Sequence, residues 1–329
     1  MNNPEIKIDF ESARLISRVL SMYYLEDHSQ GEIGKLLNLS TAKVNRLLKY
    51  ARNQGMVEIS LHPPFQQLFN LERLLEKETG VEQAVVVPQM ADSSESTLQW
   101  VGRAAANHLL DQLHDGDTIC MSGGRALSAM VQAINPRKKF KVLVVPALGG
   151  VQGQHFTDVN NLVAELAERL GGTSLQLHAP AFADNREDRE ALCNSRHVKE
   201  VLDHARNAQI IIAGIGSLLP KTSSYFLFNT LEASEIDDIL HHCKGVGEIL
   251  SRIFDEQGNL CAPEYASRVV GIDFEEFRNI PNRIGVAANT EKTTAIAAAL
   301  TGKFVKTIVT DELTANEVIR FLHQKTTKV

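Results

Sequence analysis

From residue 82 to residue 323, short runs of valine, isoleucine and leucine alternate with amphipathic stretches, and that alternation narrows the possible folds more than any other feature. EQAVVVP (82–88), DTICM (117–121), KVLVVPAL (141–148), SLQLHAP (174–180), QIIIAGIG (209–216), RIGVAA (283–288) and TIVT (307–310) read as strands. Helical periods fill 94–114, 126–134, 157–170, 187–207, 290–301 and 314–323. Strands that are apolar along their length are buried on both faces, which a mainly parallel sheet between two helical layers provides. The expected class is α/β, with a large Rossmann-like domain.

In such sheets ligands bind beyond the carboxyl ends of the strands. Four turns sit there: SGGRAL (122–127), ALGGVQG (147–153), GIGSLLP (214–220) and AANTEKTTA (287–295). Glycine lets backbone approach a ligand, and a helix N-terminus favours an anionic or hydroxyl oxygen. None of the turns has the GxGxxG or GxxxxGK[ST] spacing of a nucleotide loop, and GxSxG and HExxH are absent. Asp158, Asp184, Asp188, Asp237, Asp238 and Glu248 could bond sugar hydroxyls or cap helices, but no spacing marks an acid–base pair. The pattern fits a binding domain with no cofactor better than an enzyme.

The front of the chain is different. SARLISRVLSMYYLE (12–26) has a helical period, and Ser29 with Glu32 has capping-box spacing ahead of QGEIGKLLN. Ser40 can cap a third helix, TAKVNRLLKYARNQ, which ends at Gly55. Ile33, Leu37, Leu39, Val44 and Leu47 fall where a helix-turn-helix packs, and Gly34 is small where its helices approach. No acidic residue lies between Glu32 and Glu58, while Lys35, Lys43, Arg46, Lys49 and Arg52 do. A basic stripe on the second helix suits phosphates along a major groove. Ser40, Thr41, Lys43, Asn45, Arg46 and Lys49 are the candidate contacts to double-stranded DNA, Asn45 and Arg46 being able to donate to base edges. MVEISLH (56–62) alternates like a wing, and Pro63 and Pro64 mark a boundary. The expected division is 1–62 for a winged helix-turn-helix, 63–88 for a linker helix and first strand, and 89–329 for the large domain.

Composition adds exclusions. The net charge of −6 speaks against whole-molecule binding to polyanions but not against a local basic patch. MNNPEIKIDFES has no apolar leader core, and no run of 18 apolar residues exists, so neither secretion nor a membrane span is expected. Four scattered cysteines fit a reducing cytoplasm rather than a disulfide or zinc framework. His241, His242 and Cys243 read as a helix end, not a metal site.

From about residue 12 to 322 the chain resembles the SorC (sorbose-operon regulator) family of bacterial sugar-responsive transcriptional regulators. The likeness rests on QGEIGKLLNLSTAKVNRLLKYARNQGMVEI, SGGRAL, VPALGG, VNNL, GIGS, KGVGEILSRIFDEQGNL, RIGVAANTEKTTAIAAAL and VTDELTA. The resemblance implies a winged helix-turn-helix joined to a sensor related to glucosamine-6-phosphate deaminase, ribose-5-phosphate isomerase and CoA transferases. It implies an effector that is a sugar, polyol or sugar phosphate, and self-association to dimers or tetramers on operator DNA. The implied pocket comprises Ser122, Gly123, Gly124, Arg125, Ala126, Gly149, Gly150, Glu248 and Lys292, to which Asp184 and Gly216 are added from the loop pattern. Leu148 stands where several phosphate-sensing relatives carry Lys or Arg, and Arg125 where they often carry a small hydroxyl residue. Two alternatives stay open at this point: an isomerase- or deaminase-like enzyme with an appended helical domain, and a protein-interaction module.

Overall fold

A computed structural model describes residues 9–57, 65–89, 93–151, 158–219, 223, 225–226 and 231–326. The chain divides into two compact units, Met1–Pro64 and Phe65–Val329.

Among the described residues, the first unit packs three helices: α1 (Phe10–Tyr24), α2 (Gln30–Leu37) and α3 (Thr41–Asn53). Each begins at a polar cap that satisfies helix N–H groups. Asp9 accepts from Ser12 N, Ser40 Oγ accepts from Lys43 N, and Ser29 and Glu32 form the reciprocal box. Between α2 and α3 the chain turns in three residues, with Asn38 left-handed (φ 53°) and Leu39 N donating to Gly34 O at 2.7 Å. A Cβ at position 34 would meet Leu39 O at 2.7 Å, so the turn needs glycine there. Ile16, Val19, Ile33, Val44, Leu47, Leu48 and Ala51 form the core, with Leu37 and Leu39 packed against it. The helix-turn-helix spacing read from the sequence therefore closes as expected. Residues 58–62 of the expected wing, with Pro63 and Pro64, lie outside the described residues.

The second unit is a three-layer α/β/α sandwich. It opens with α4 (Gln66–Thr79), β1 (Gln83–Val87), α5 (Ser94–Gln112), β2 (Thr118–Met121), α6 (Arg125–Ala133) and β3 (Leu143–Pro146). Next come α7 (Val159–Leu170), β4 (Thr173–Ser174), α8 (Arg186–Asn194), α9 (Arg196–Arg206), β5 (Ile210–Gly214), β6 (Gly216–Ser217) and α10 (Ala233–Asp237). It ends with β7 (Gly245–Ile249), β8 (Arg252–Asp255), α11 (Pro263–Ala266), α12 (Phe274–Asn279), β9 (Asn282–Val286), α13 (Thr293–Thr301), β10 (Thr307–Asp311) and α14 (Glu312–Thr326).

Seven strands form one parallel sheet in the order β1-β10-β9-β5-β2-β3-β4. Successive residues feed opposite cores. Ile119, Met121, Ile210 and Ile212 face one with α5, α6 and α7, while Cys120, Ile211 and Ala213 face the other with α4, α9, α13 and α14. From β2 the chain winds outward to β3 and β4, returns to β5 on the other side of β2, and continues to β9 and β10. The winding reverses between β2 and β5, so a crevice opens at their carboxyl ends.

Two sequence expectations fail, at 174–180 and 187–207. The helix and first strand expected within 63–88 form as α4 and β1: β1 pairs with β10 over five residues, and Leu68, Leu71 and Leu75 of α4 join the core of the sheet unit. Each such leucine contributes about 1.5–3 kcal/mol. The strand expected at 174–180 stops at Ser174, because the Asn160 side chain replaces the ladder, accepting from Leu177 N (2.8 Å) and donating to Leu177 O (3.2 Å). The single helix expected at 187–207 breaks at Ser195, whose backbone is extended (ψ 141°). A separate antiparallel sheet, β6-β7-β8, was unforeseen.

Candidate functional site

On α3, Val44, Leu47 and Leu48 face the core, while Thr41, Lys43, Asn45, Arg46, Lys49 and Arg52 are exposed. Among the described residues, none of Lys35, Lys43, Arg46, Lys49 and Arg52 forms an ion pair, so their charge is not neutralised within the unit. Ser40 is exposed too, but its oxygen already accepts the Lys43 N–H. Its hydroxyl proton is still available for donation to a phosphate.

The large unit brings several of the sequence candidates together at the crevice. Ser122 follows β2 and is buried. Its N–H donates to Ile212 O (3.1 Å), and its hydroxyl accepts from Gly214 N (3.1 Å). The side chain thus joins β2 to β5 and shapes the crevice floor more than it offers a free hydroxyl. Gly123 O lies 3.8 Å from where a Cβ on Gly214 would stand, so the two strand ends touch. Gly124 sits at φ 117°, a conformation that favours glycine, and α6 starts at Arg125 without a side-chain cap. The first-turn N–H groups of α6, Arg125 and Ala126 among them, point along the helix axis at this end. Arg125 is exposed and Ala126 buried.

Glu248 on β7 pairs across the small sheet with Gly216, where any side chain would press on the carboxyl carbon at 2.9 Å. One Glu248 oxygen accepts from Ser251 N at 2.9 Å. Burial pushes the Glu248 carboxyl above its ordinary range, while the Ser251 N–H and the Lys292 ammonium pull it back. Lys292 shows the mirror effect. Burial pushes its ammonium below the ordinary lysine value, Glu248 opposes this and Arg125 adds to it. Lys292 Nζ donates to Ile215 O, just beyond β5, at 2.8 Å. Lys292 therefore senses both Glu248 and Arg125, and it and Glu248 are half-buried.

Other candidates have different roles. Gly149 N donates to Val270 O (2.9 Å) and Gly150 N to Ala179 O (3.0 Å), so neither glycine has an N–H left for a ligand. A Cβ on Gly149 would collide with Ala179 O at 2.5 Å and with Pro180; close backbone packing explains that glycine. A Cβ on Gly150 would stand 3.0 Å from the carboxylate of Asp158, the residue that caps α7. Asp184 is exposed in the turn before α8, which Ala181 N and Ala183 N fasten to Gly150 O and Arg268 O. Leu148 is buried and supplies no cation.

Sequence reasoning missed Arg252 and Asp311. The buried Arg252 guanidinium donates to Leu250 O (2.8 Å) and Ile272 O (2.7 Å), pinning a turn in which Leu250 and Ser251 both have positive φ. Asp311 lies in VTDELTA, where an acid between strand and helix was a legible capping signal. His241 and His242 are exposed and pair with Asp237 and Asp238 on their own helical turn. Among the described residues no group of three or more His, Cys, Asp or Glu is arranged to hold a metal ion, and no described helix is long and apolar enough to cross a membrane.

A family model described as "Putative sugar-binding domain" matches residues 63–320, more than half of the chain. A second, Sigma-70 region 4, matches 17–54, the helix-turn-helix. The full-length sorbitol operon regulator SorC from Klebsiella pneumoniae has the same fold in its crystal structure. Its TM-score is 0.72 at 29% identity, covering 94% of this chain and 99% of that one. The chain belongs to the SorC family. The deoxyribonucleoside regulator of Bacillus subtilis (strain 168) is 28% identical over 319 residues, 96% of this chain and 100% of its own length. The structure of a probable sor operon regulator from Shigella flexneri gives a TM-score of 0.71 at 30% identity, covering 77% of this chain and 100% of that one. These relatives are named as regulators, not enzymes. The protein is accordingly a sugar-responsive transcriptional regulator, and the isomerase-like alternative falls away.

Proposed function

We propose that this SorC-family regulator grips double-stranded operator DNA with Ser40, Thr41, Lys43, Asn45, Arg46 and Lys49. We place its effector, a sugar, polyol or sugar phosphate, at the carboxyl ends of β2, β5 and β9. The carrying observation is that Gly123, Gly124, Gly216, Glu248, Lys292 and Arg125 gather where the sheet reverses its winding. In this reading Glu248 accepts effector hydroxyls, while Lys292, Arg125 and the first turn of α6 receive one anionic group. With leucine at 148, the pocket has no cation there for a second phosphate.

The protein acts in the cytoplasm as a dimer or tetramer. The effector favours one arrangement of subunits, and operator affinity changes by the same coupling factor that the operator imposes on effector affinity. Relief of repression is the expected sign.

Relatives named for a sorbitol operon and for deoxyribonucleosides direct the test toward small polyhydroxylated compounds. A thermal-shift panel of alditols, pentoses, hexoses and their phosphates should show one class raising Tm. A ligand at about 100 times its Kd adds roughly 2.7 kcal/mol of stability. Glu248→Gln and Lys292→Met should each abolish that shift. No shift across the panel, or a full shift kept in both variants, removes the assigned pocket.

A further inference from the structure

VTDELTA (309–315) closes β10 and opens α14, and none of the proposed effector contacts uses it. Asp311 within it is buried, at 4% exposure. Its Oδ1 accepts from Thr314 N (3.0 Å), and its Oδ2 accepts from Thr314 Oγ1 (2.6 Å) and from the Asn289 backbone N–H (2.9 Å). The Thr314 bonds cap α14. The Asn289 bond crosses to the turn that leaves β9, 22 residues back.

That turn needs holding, because Asn289 has φ 81°, which side-chain-bearing residues rarely adopt. Three residues later Lys292 completes a 3-10 turn, its N–H donating to Asn289 O at 3.0 Å. The Lys292 amine then reaches Ile215 O. One end of the lysine is thus anchored through Asn289 to Asp311, and the other at the end of β5. We infer that Asp311 is a positioning residue of the effector pocket: it fixes the 289–292 turn and so sets where the Lys292 amine stands, without touching the effector. This rests on the reading of Lys292 as an effector contact. Glu312, the next residue, supplies a built-in control, since its Oε2 accepts from Gln89 N (3.1 Å) in a different loop.

The test follows the pH profile of Lys292 acetylation by acetic anhydride, read by mass spectrometry on the full-length protein with exposed Lys199 as reference. Glu248, Arg125 and Glu291 act on this amine and stay unaltered in every variant. In the native protein the Lys292 midpoint should lie below that of Lys199. In Asp311→Ala it should rise toward the ordinary lysine range, and amide exchange at Asn289 should quicken several-fold, the scale set by losing one hydrogen bond. Thr314→Val, a milder change, should move both readouts the same way by less, and it decides the matter if Asp311→Ala does not fold. Glu312→Gln should leave both unchanged. A native-like Lys292 midpoint in Asp311→Ala, or in Thr314→Val if that alone folds, overturns the inference, as does an equal shift in Glu312→Gln. Failure of the effector reading looks different: the midpoint shifts with Asp311→Ala, yet no compound of the thermal-shift panel protects Lys292 from acetylation.

Discussion

Replacing Arg46 and Lys49 together by alanine should lower affinity for operator DNA about 10- to 100-fold near 100 mM salt and reduce the log–log salt slope by about 2. Both side chains are exposed on α3 and neither is in an ion pair among the described residues. Their full charge is therefore available to displace counterions from DNA, at nearly one released ion per phosphate contact. The fold should not suffer. The residues that α3 gives to the core of this unit are Val44, Leu47, Leu48 and Ala51, and none of these is changed. Binding titrations of a promoter fragment at several salt concentrations, with circular dichroism to check helix content, would measure both effects. Unchanged affinity and slope would take α3 out of the interface. If affinity falls while the slope stays, the two residues read bases rather than phosphates.

Gly149→Ala should destabilise the large unit by about 3 kcal/mol, the upper end of the cost of overpacking. The new methyl would meet Ala179 O at 2.5 Å, and backbone in that direction has little freedom to retreat. Gly150 N to Ala179 O, Ala181 N to Gly150 O and Gly149 N to Val270 O tie the same segments together. Gly150→Ala is the contrast. Its methyl would face the Asp158 carboxylate at 3.0 Å, a side chain that can give way only by loosening its cap on α7, so a cost of about 1 kcal/mol is expected. Urea unfolding of both variants would compare them. Were the pair instead a ligand cradle, both variants would keep native stability and lose the ligand-induced thermal shift.

The glycine pair also shows where sequence reading reaches its end. A glycine beside a strand end looks the same whether it admits a ligand or another stretch of backbone, and the second answer depends on 179–180 folding back from β4. The helix-turn-helix was legible because its information is local: a capping box, a three-residue turn, Gly34 beneath it and apolar residues at fixed offsets. The parallel sheet was legible because strands buried on both faces carry a continuous apolar signal. The β7–β8 hairpin was not, since its turn residues Leu250 and Ser251 have positive φ without being glycine or asparagine. That turn is held by Glu248 and Arg252, contacts fixed only by the tertiary fold. Glu248 was one of six acids that the loop pattern offered, resemblance singled out it and Lys292, and the placing of Lys292 near both Glu248 and Arg125 depends on the strand order β9-β5-β2.

Reciprocal coupling is the central claim, and one titration tests it. Operator affinity would be measured with and without the compound that raises Tm in the panel, and affinity for that compound with and without operator. Each ligand should change the other's affinity by the same factor, about 5- to 150-fold, and Lys292→Met should abolish both changes. A compound that binds at Lys292 yet leaves operator affinity unchanged would contradict the claim.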